Sequence, residues 1–439
     1  MPGTLNVRKK MDYQECREWL EDRRISMGSV PGLTEVNKLL DCFERPDKDM
    51  NIIHIAGTNG KGSIGYLLEQ SIALSKIKVG RFLSPAVVDE REIILVNGKM
   101  VPKKTWAEIL SGIIEVINEK DLKATAFETE FVLSLLIFQR LGCEIVILEC
   151  GMGGRLDATN AIEKSLVDII SSISIDHCNF LGDSLKDISL HKFGIIKENS
   201  AHAVIAPQTE DIYEYLDEYI KDSKIKCDIV KSEAKAVKSR VKKNKNKPYQ
   251  IIGYKDYKDL ELSLLGVHQC DNAAAVLDTI GVLESEDFKI SEKAVRNAFS
   301  NALWPGRFEI IESDRLFILD GAHNFDAVEK LFENISLYFT NRDIIYIMGM
   351  YRDKAYKDVV KFTAPKAKAI VTINPADRKR AVDSFELGKC IREYNENVTS
   401  ADSYEEALEI ARLLSDKKDM ILIFGSLSFM GDFRRFLIK

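Results

Sequence analysis

Short apolar runs alternate with segments of helical length, and this alternation constrains the fold more than any other feature of the sequence. In the first half of the chain the runs are NIIHIAG (51–57), IKVGRFLS (77–84), EIVILEC (144–150), VDIISSISI (167–175) and AHAVIAP (201–207). Each run has the length of one strand, and near-continuous apolar strands separated by helices are typical of a parallel sheet buried on both faces. The sequence therefore predicts a mainly parallel α/β domain.

A second alternation begins at about residue 308. It comprises FEIIES, LFILDG, a helix near 326–339, IIYIMGM (344–350), AIVTIN (369–374), a helix near 403–415 and MILIFGS (420–426). A chain of 439 residues exceeds the size at which a single core usually stops growing. We therefore predict a first domain at 1–300, a linker at 301–307 (NALWPGR), and a smaller Rossmann-like α/β domain at 308–439.

The stretch 231–265 differs from both alternating regions. Its first part, SEAKAVKSRVKKNKNKPYQ, is polar and rich in lysine, and the short alternating runs that follow predict a small antiparallel element. A nucleic-acid-binding arm is one interpretation of the lysines. A solvated loop is the interpretation we favour, because the regular interleaving with aromatic and arginine residues is missing. A net charge of -6 also gives no global field that would attract nucleic acid or an anionic membrane.

The cysteines and the apolar segments indicate the compartment. The eight cysteines are scattered and form no CxxC pair, which is typical of reduced thiols. The first 24 residues are charged and lack the apolar run of a signal peptide, and no segment approaches ~18 uninterrupted apolar residues. We predict a cytoplasmic protein with no membrane span. We also expect a monomer, because the polar segment 231–247 offers no hydrophobic seam.

The glycine-rich segment GTNGKGS lies directly between an apolar strand and a helical pattern. Backbone N–H groups and the positive end of a helix can hold phosphate oxygens at such a position. We predict that the loop binds a nucleotide through Gly57, Thr58, Asn59, Gly60, Lys61, Gly62 and Ser63. It is not a standard Walker A motif, because Ile55 stands six positions before Lys61 where that motif has glycine. The alternative is a glycine-rich turn with a solvent-exposed lysine.

A second glycine-rich turn follows Glu149, which stands near the carboxyl end of the apolar run 144–150. The carboxyl ends of parallel strands face the ligand crevice of an α/β fold. A carboxylate there is well placed to hold magnesium beside phosphates. The alternative for a single strand-end glutamate is a helix cap or a salt bridge.

Eight motifs together resemble the folylpolyglutamate synthase and dihydrofolate synthase family of the Mur-ligase superfamily, and they occur in that family's order. They are HIAGTNGKGS (54–63), FLSPAVVDEREI (82–93), ECGMGGRLDATN (149–160), SISIDHCNFLGDSLKDISLHKFGIIK (172–197), GVHQCDNAAAVLD (266–278), WPGRFE with ILDGAHN (304–309 and 318–324), and GSLSFMGDFRRFL (425–437). The resemblance implies a P-loop-type ATPase domain followed by a smaller ligase domain. It also implies small-molecule substrates: ATP, L-glutamate and a folate or dihydropteroate.

The resemblance further implies two magnesium ions, with ligands at Ser84, Glu149, His177 and Lys192. Lys192 would carry a carbamate, since an unmodified ammonium has no lone pair for a cation whereas a carbamate offers carboxylate-like oxygens. Without the resemblance, His177 would be interpreted as a hydrogen-bonding core histidine, because imidazole prefers softer metals.

The remaining roles also follow from the resemblance. Nucleotide contacts are implied for Gln269, Asn272, Arg307 and Asp320, substrate contacts for Arg155, Asp157, His323 and Ser426, and catalytic roles for Lys61, Lys192, Arg307 and His323. A planar guanidinium suits bidentate contact with a transferring phosphoryl group. Taken alone, Asp320 and His323 would be interpreted as turn residues or satisfied polar groups. The sequence departs from the family at Ala86, where histidine is usual, and at His191, where glutamate is usual.

The reaction implied is the ATP-dependent joining of L-glutamate to a folate or dihydropteroate carboxylate through an acyl-phosphate. Lys61 and Arg307 lie on different predicted domains, so domain closure should complete the site and exclude water. Three kinds of family member remain open: those that extend folate polyglutamate, those that glutamylate dihydropteroate, and those that do both. Two further alternatives are a Mur-type amino-acid ligase with a non-folate acid acceptor and a nucleotide-responsive binding protein without ligase chemistry.

Overall fold

A computed structural model describes residues 10–28, 30–233, 238–244, 247–352 and 354–438. It contains an eight-stranded sheet, a three-stranded sheet and a six-stranded sheet. Among the described residues, no helix is both long and apolar enough to cross a lipid bilayer.

The eight-stranded sheet belongs to the N-terminal half of the chain. Its strands are β1 (Asn51–Ala56), β2 (Val79–Phe82), β3 (Ile94–Val96), β4 (Lys99–Met100), β5 (Ile145–Glu149), β6 (Ser165–Ile170), β7 (Ser200–Ile205) and β8 (Asp228–Lys231). They are ordered β4-β3-β2-β5-β1-β6-β7-β8. The six strands from β2 to β8 pair in parallel, and β3 and β4 add an antiparallel edge.

Helices cover both faces of this sheet. They are α1 (Tyr13–Met27), α2 (Thr34–Asp41), α3 (Lys61–Leu74), α4 (Lys103–Glu119), α5 (Ala126–Leu141), α6 (Cys178–Leu181), α7 (Leu185–Phe193), α8 (Glu210–Ser223), α9 (Val267–Ser285) and α10 (Glu292–Ser300). Ile53 and Ile55 pack into the core formed with α3, α9 and α10. Ile52 packs into the core formed with α1, α2, α4 and α5. Burial on alternating faces explains why the strand sequence is apolar at nearly every position.

The three-stranded sheet consists of β9 (Lys238–Asn244), β10 (Lys247–Tyr254) and β11 (Tyr257–Leu262). The antiparallel element predicted after the lysine-rich segment is present. The prediction of a solvated loop is wrong for 238–244, because these residues pair along β10. Arg240, Val241 and Lys242 remain exposed, and an edge strand can carry such residues since its backbone alone makes the pairing. Residues 234–237 and 245–246 of that segment lie outside the described residues.

The six-stranded sheet belongs to the C-terminal part. Its strands are β12 (Glu309–Glu312), β13 (Leu316–Asp320), β14 (Ile344–Met348), β15 (Ala369–Thr372), β16 (Val398–Ser400) and β17 (Met420–Phe424), in the order β12-β13-β17-β14-β15-β16. Only β12 is antiparallel to its neighbour. The helices are α11 (Phe325–Tyr338), α12 (Tyr356–Thr363), α13 (Ser384–Arg392), α14 (Tyr404–Leu414) and α15 (Met430–Leu437).

The predicted fold class is confirmed: both large sheets are mainly parallel and are covered by helices. The predicted linker 301–307 falls between the end of α10 and the start of β12. The domain limits at 300 and 308 stay a prediction.

Candidate functional site

The glycine-rich loop connects β1 to α3, as the sequence predicted. Gly57 has a φ of 150°, and a Cβ on it would lie 1.8 Å from Ser171 Oγ. Gly60 precedes the first turn of α3 with a left-handed φ of 92° and provides no side-chain cap. A Cβ on Gly60 would lie 2.4 Å from Asn272 Oδ1. The loop backbone therefore packs closely on its neighbours while the N–H groups of the helix end are left for an anion.

Lys61 folds back over this loop. Its Nζ donates to the carbonyl oxygens of Gly57, at 2.8 Å, and Thr58, at 3.2 Å. Desolvation lowers the pKa of Lys61, and the carboxylate of Glu149 opposes that shift. The ammonium therefore lies inside the loop and within the electrostatic reach of Glu149.

Four neighbouring strands end at the loop. These strands are neighbours in the order β2-β5-β1-β6. Ser84 follows β2, Glu149 is the last residue of β5, the phosphate loop follows β1, and the segment that carries His177 follows β6. Because the carboxyl ends of parallel strands meet at one edge of a sheet, these groups share one crevice.

Glu149 is held by an arginine that the sequence analysis did not single out. Its Oε1 accepts from Arg81 Nε at 2.9 Å and from Arg81 Nη2 at 2.6 Å. The salt-bridge alternative for Glu149 is thus realised, and the metal role stays a prediction. A signal was available, since an arginine inside the apolar run 77–84 must have a buried acidic partner.

Lys192 lies on α7 and is 3% exposed. Burial, followed by the charge of Lys61, lowers its pKa to about 7. The second glycine-rich turn lies against the same helix, where Arg155 N–H donates to His191 O at 2.7 Å. In that turn Asp157 accepts from the backbone N–H groups of Thr159, at 3.0 Å, and Met152, at 2.8 Å. Asp157 therefore shapes the turn, and its substrate role stays a prediction.

His177 faces the C-terminal part of the chain. Its Nε2 lies 3.4 Å from Lys354 Nζ, and Lys354 also donates to Asp176 Oδ1 at 2.7 Å. Burial and the nearby Lys354 lower the pKa of His177 to about 4. Although burial opposes it, the neighbouring His323 and Lys354 hold the pKa of Asp176 well below its ordinary value. Asn324 Nδ2 donates to Asp176 Oδ2 at 3.1 Å, which completes an interdomain polar cluster.

Asp176 and Lys354 were not among the site residues predicted from the sequence. Asp176 could have been found as an acid directly after an apolar strand-like run. Lys354 lies in a polar segment between β14 and α12 and gives no local signal.

The C-terminal sheet places its predicted residues at a strand edge as well. Asp320 ends β13 and accepts from Phe308 N–H at 2.7 Å and from Ala322 N–H at 2.8 Å. Burial raises the pKa of Asp320, and Arg307 opposes that shift. Burial lowers the pKa of Arg307, which is opposed by Asp320 and Glu149. Arg307 is therefore close enough to both domains to interact with a carboxylate of each.

Helix α9 packs against the phosphate loop and the start of α3. Gln269 Nε2 donates to Ser63 Oγ at 3.2 Å, and Asn272 Nδ2 donates to Gln269 Oε1 at 3.0 Å. Gln269 and Asn272 are both buried. Their nucleotide contacts stay a prediction.

The last two predicted substrate residues follow neighbouring strands of the C-terminal sheet. His323 lies three residues after β13, and its Nδ1 is 2.8 Å from Gly321 O. Ser426 lies two residues after β17, the strand that pairs with β13. Both follow the carboxyl ends of their strands, which puts them at the same edge of this sheet.

The described residues contain no group of three or more His, Cys, Asp or Glu side chains that could hold a metal by themselves. Magnesium usually needs only one or two carboxylates, since phosphate oxygens and water supply the other ligands. Oε2 of Glu149 makes no hydrogen bond among the described residues. Glu149 therefore fits a metal shared with a bound phosphate. His177 does not fit one in this arrangement, because Lys354 faces its Nε2.

Comparisons with known proteins identify the family of this chain. Residues 55–280 match the Mur ligase middle domain, and residues 306–427 match the Mur ligase, glutamate ligase domain. The dihydrofolate synthase/folylpolyglutamate synthase of Bacillus subtilis (strain 168) is 31% identical over 96% of this chain and 98% of its own length. The probable dihydrofolate synthetase of Schizosaccharomyces pombe is 29% identical over 92% of this chain and 98% of its own length.

Solved structures share the fold. Mycobacterium tuberculosis folylpolyglutamate synthase, complexed with ADP and AMPPCP, has a TM-score of 0.86 at 24% identity and covers 97% of this chain and 99% of its own. Thermotoga maritima folylpolyglutamate synthase has a TM-score of 0.80 at 26% identity and covers 97% of this chain and 96% of its own.

Proposed function

This chain belongs to the folylpolyglutamate synthase and dihydrofolate synthase family of Mur ligases, and we propose that the crevice between its two large sheets is where it joins L-glutamate to a folate-type carboxylate. The enzyme is an ATP-dependent ligase. One observation carries the location of the site: Glu149 interacts electrostatically with Lys61 of the phosphate loop and with Arg307 at the entrance to the C-terminal sheet.

The order of events follows from the chemistry of the bond. A carboxylate is a poor electrophile, so one of its oxygens must first become a leaving group, and transfer of a phosphoryl group from ATP achieves this. The amine of glutamate then attacks the acyl-phosphate and phosphate departs. Lys61, the N–H groups at the start of α3, and Arg307 offset the charge on the transferring phosphoryl group.

We assign nucleotide contacts to the loop from Gly57 to Ser63 and to Gln269, Asn272, Arg307 and Asp320. Arg155, Asp157, His323 and Ser426 are assigned to the acceptor and to glutamate, and His323 adjoins the reacting groups. The support is that each of these residues lies at, or packs against, the carboxyl ends of strands in one of the two sheets.

For the metal we propose magnesium at Ser84 and Glu149. When bound, it would neutralise charge on the phosphates. A second magnesium at His177 and Lys192 requires Lys354 to move away from His177. Lys192 suits carbamate formation because an amine with a pKa of about 7 is partly uncharged at neutral pH. A carbamate resonance from labelled bicarbonate should appear in the native protein and be absent from Lys192→Arg; its absence from both excludes the modification.

The domain limits 1–300, 301–307 and 308–439, the monomeric state and the cytoplasmic location remain predictions. The acceptor is folate, dihydropteroate or both.

The purified protein should be assayed for ADP release with ATP, Mg²⁺ and L-glutamate, comparing dihydropteroate, tetrahydrofolate and no acceptor, with product masses recorded. A gain of one glutamate on either pterin supports the proposal. Turnover only with a non-folate acid would instead favour another Mur-type ligase, and no turnover with any acid would favour a binding protein.

A further inference from the structure

Arg81 is a residue of β2 that contacts the phosphate loop, and it is fully buried. Besides its two bonds to Glu149, its guanidinium donates to Gly62 O at 2.9 Å and to Glu69 Oε2 at 3.3 Å. Glu69 in turn accepts from the backbone N–H of Gly98 at 2.8 Å. One side chain therefore binds the end of β5, the first turn of α3 and a carboxylate about two turns farther along α3.

The same guanidinium reaches the segment that joins the two large sheets. Its Cζ lies 4.6 Å from the centre of the Trp304 ring, within the range of a cation–π contact. Trp304 also packs on the phosphate loop, since a Cβ on Gly62 would lie 3.3 Å from Trp304 Nε1. Arg307 lies three residues after Trp304. Arg81 therefore contacts the phosphate loop, Glu149 and the segment that carries Arg307.

A glycine makes this arrangement possible. A Cβ on Gly65, within α3, would lie 2.7 Å from Glu149 Oε1 and 3.0 Å from Arg81 Nε. The distance to Glu149 Oε1 is one that a Cβ essentially never makes, so a group must shift, and the distance to Arg81 Nε is tighter than most Cβ contacts. The Arg81–Glu149 pair therefore occupies the space that a side chain on α3 would fill.

We propose that Arg81 is a positioning residue that fixes Glu149 with Oε1 bound and Oε2 directed to the divalent cation. This rests on the proposed function, since it assumes that Glu149 is a metal ligand. A carboxylate that is held by a second residue is already oriented for the metal, and loss of such a partner commonly costs ~10-fold or more in metal affinity.

The test measures Mn²⁺ binding to the full chain in the presence of ADP, from the EPR signal of free Mn²⁺. Gly65→Ala disturbs the Arg81–Glu149 pair without changing any charge, and alanine favours a helix over glycine by ~1 kcal/mol. The circular-dichroism spectrum of each variant is compared with that of the native protein to check that it is folded. Gly281→Ala is the matched control, because a Cβ on this exposed glycine of α9 meets nothing within 4 Å. Arg81→Lys keeps the charge but cannot make the same set of bonds.

We expect Gly65→Ala and Arg81→Lys to weaken Mn²⁺ binding ~10-fold, and Gly281→Ala to bind as the native protein does. Glu149→Gln should abolish the site. If Glu149→Gln abolishes binding while Gly65→Ala and Arg81→Lys leave it unchanged, the positioning role is wrong and the metal site stands. If binding survives Glu149→Gln, the proposed metal site is wrong and the positioning role falls with it.

Discussion

At the scale of single residues, the buried charged groups of the crevice should be sensitive to substitution. Arg307 is the clearest case. It is desolvated, it interacts electrostatically with Asp320 and Glu149, and its pKa is lowered by burial. Keeping a guanidinium in such a place has a free-energy cost, and a function at the reacting centre would explain why the fold tolerates it.

Replacing Arg307 by methionine should lower kcat by ~10²–10³, because a preorganised donor to the transferring phosphoryl group is lost. Steady-state ADP release with saturating acceptor and glutamate measures this. Arg315→Met is the control, since Arg315 is a half-buried arginine that bonds to Ser415 within the C-terminal part, at 3.2 Å. Near-native kcat in Arg307→Met would exclude the role assigned to this residue.

The sequence predicted the residues whose position follows from the strand pattern, and it missed their partners. Glu149 was expected at the crevice because strand ends meet there. Arg81 was not expected, because identifying its role requires knowing that β2 lies next to β5, and strand order is not a local property of sequence.

At the scale of elements, β6 carries an ionisable group in a place where charge is costly. Asp168 is fully buried and accepts a hydrogen bond from Ser200 Oγ. Burial raises its pKa from 3.8 to about 7. A raised folded-state pKa means that the protonated form is favoured by folding, so the stability contribution is complete below pH 3.8 and is lost as the pH rises through about 7.

Asp168→Asn keeps the shape and removes the charge. Thermal unfolding should therefore give similar Tm values for the variant and the native protein near the ordinary aspartate pKa of ~4, and a higher Tm for the variant at a pH above that of the folded group. Ser134→Ala removes a buried hydroxyl of α5 that donates to Phe131 O, and it changes no charge, so it should show no such pH trend. An equal Tm difference at both pH values would mean that Asp168 does not titrate as described.

The elements themselves differ in how far they could be predicted. The loop between β1 and α3 followed from the sequence because glycine, lysine and the flanking patterns all point to one structure. Strand β9 could not be predicted in this way, because its polar residues are equally compatible with a solvated loop. It is a strand because it pairs with β10.

At the scale of the whole molecule, polar contacts join the two parts of the chain at the crevice. Lys354 is 6% exposed in its side chain and bonds to Asp176 across the crevice. Asn59 of the phosphate loop likewise donates to Asp326 at the start of α11, at 2.8 Å. Such contacts can hold the domains together and still be exchanged during turnover, since inter-domain interfaces of this kind are usually mobile.

Lys354→Met should weaken the closed arrangement and admit water to the acyl-phosphate. The expected result is more ADP released per ligated product than in the native protein, together with a lower kcat. Lys368→Met is the control, because Lys368 pairs with Asp419 within one domain at 2.7 Å. A strict one-to-one ratio in Lys354→Met would argue against a closure role.

The two large, mainly parallel sheets were predictable from the alternation of strands and helices along the chain. The interdomain polar cluster was not predictable. Asp176 and Lys354 are 178 residues apart in sequence, and the sequence around one of them does not indicate that it contacts the other.

Oxygen tracing tests the acyl-phosphate at the centre of this account most directly. An acceptor labelled with ¹⁸O in its reacting carboxylate is incubated with the enzyme, ATP, Mg²⁺ and L-glutamate, and the released phosphate is analysed by mass spectrometry. The account predicts that one carboxylate oxygen appears in phosphate for each amide formed, since the oxygen that receives the phosphoryl group leaves with it. Phosphate without ¹⁸O, alongside labelled amide product, would contradict it.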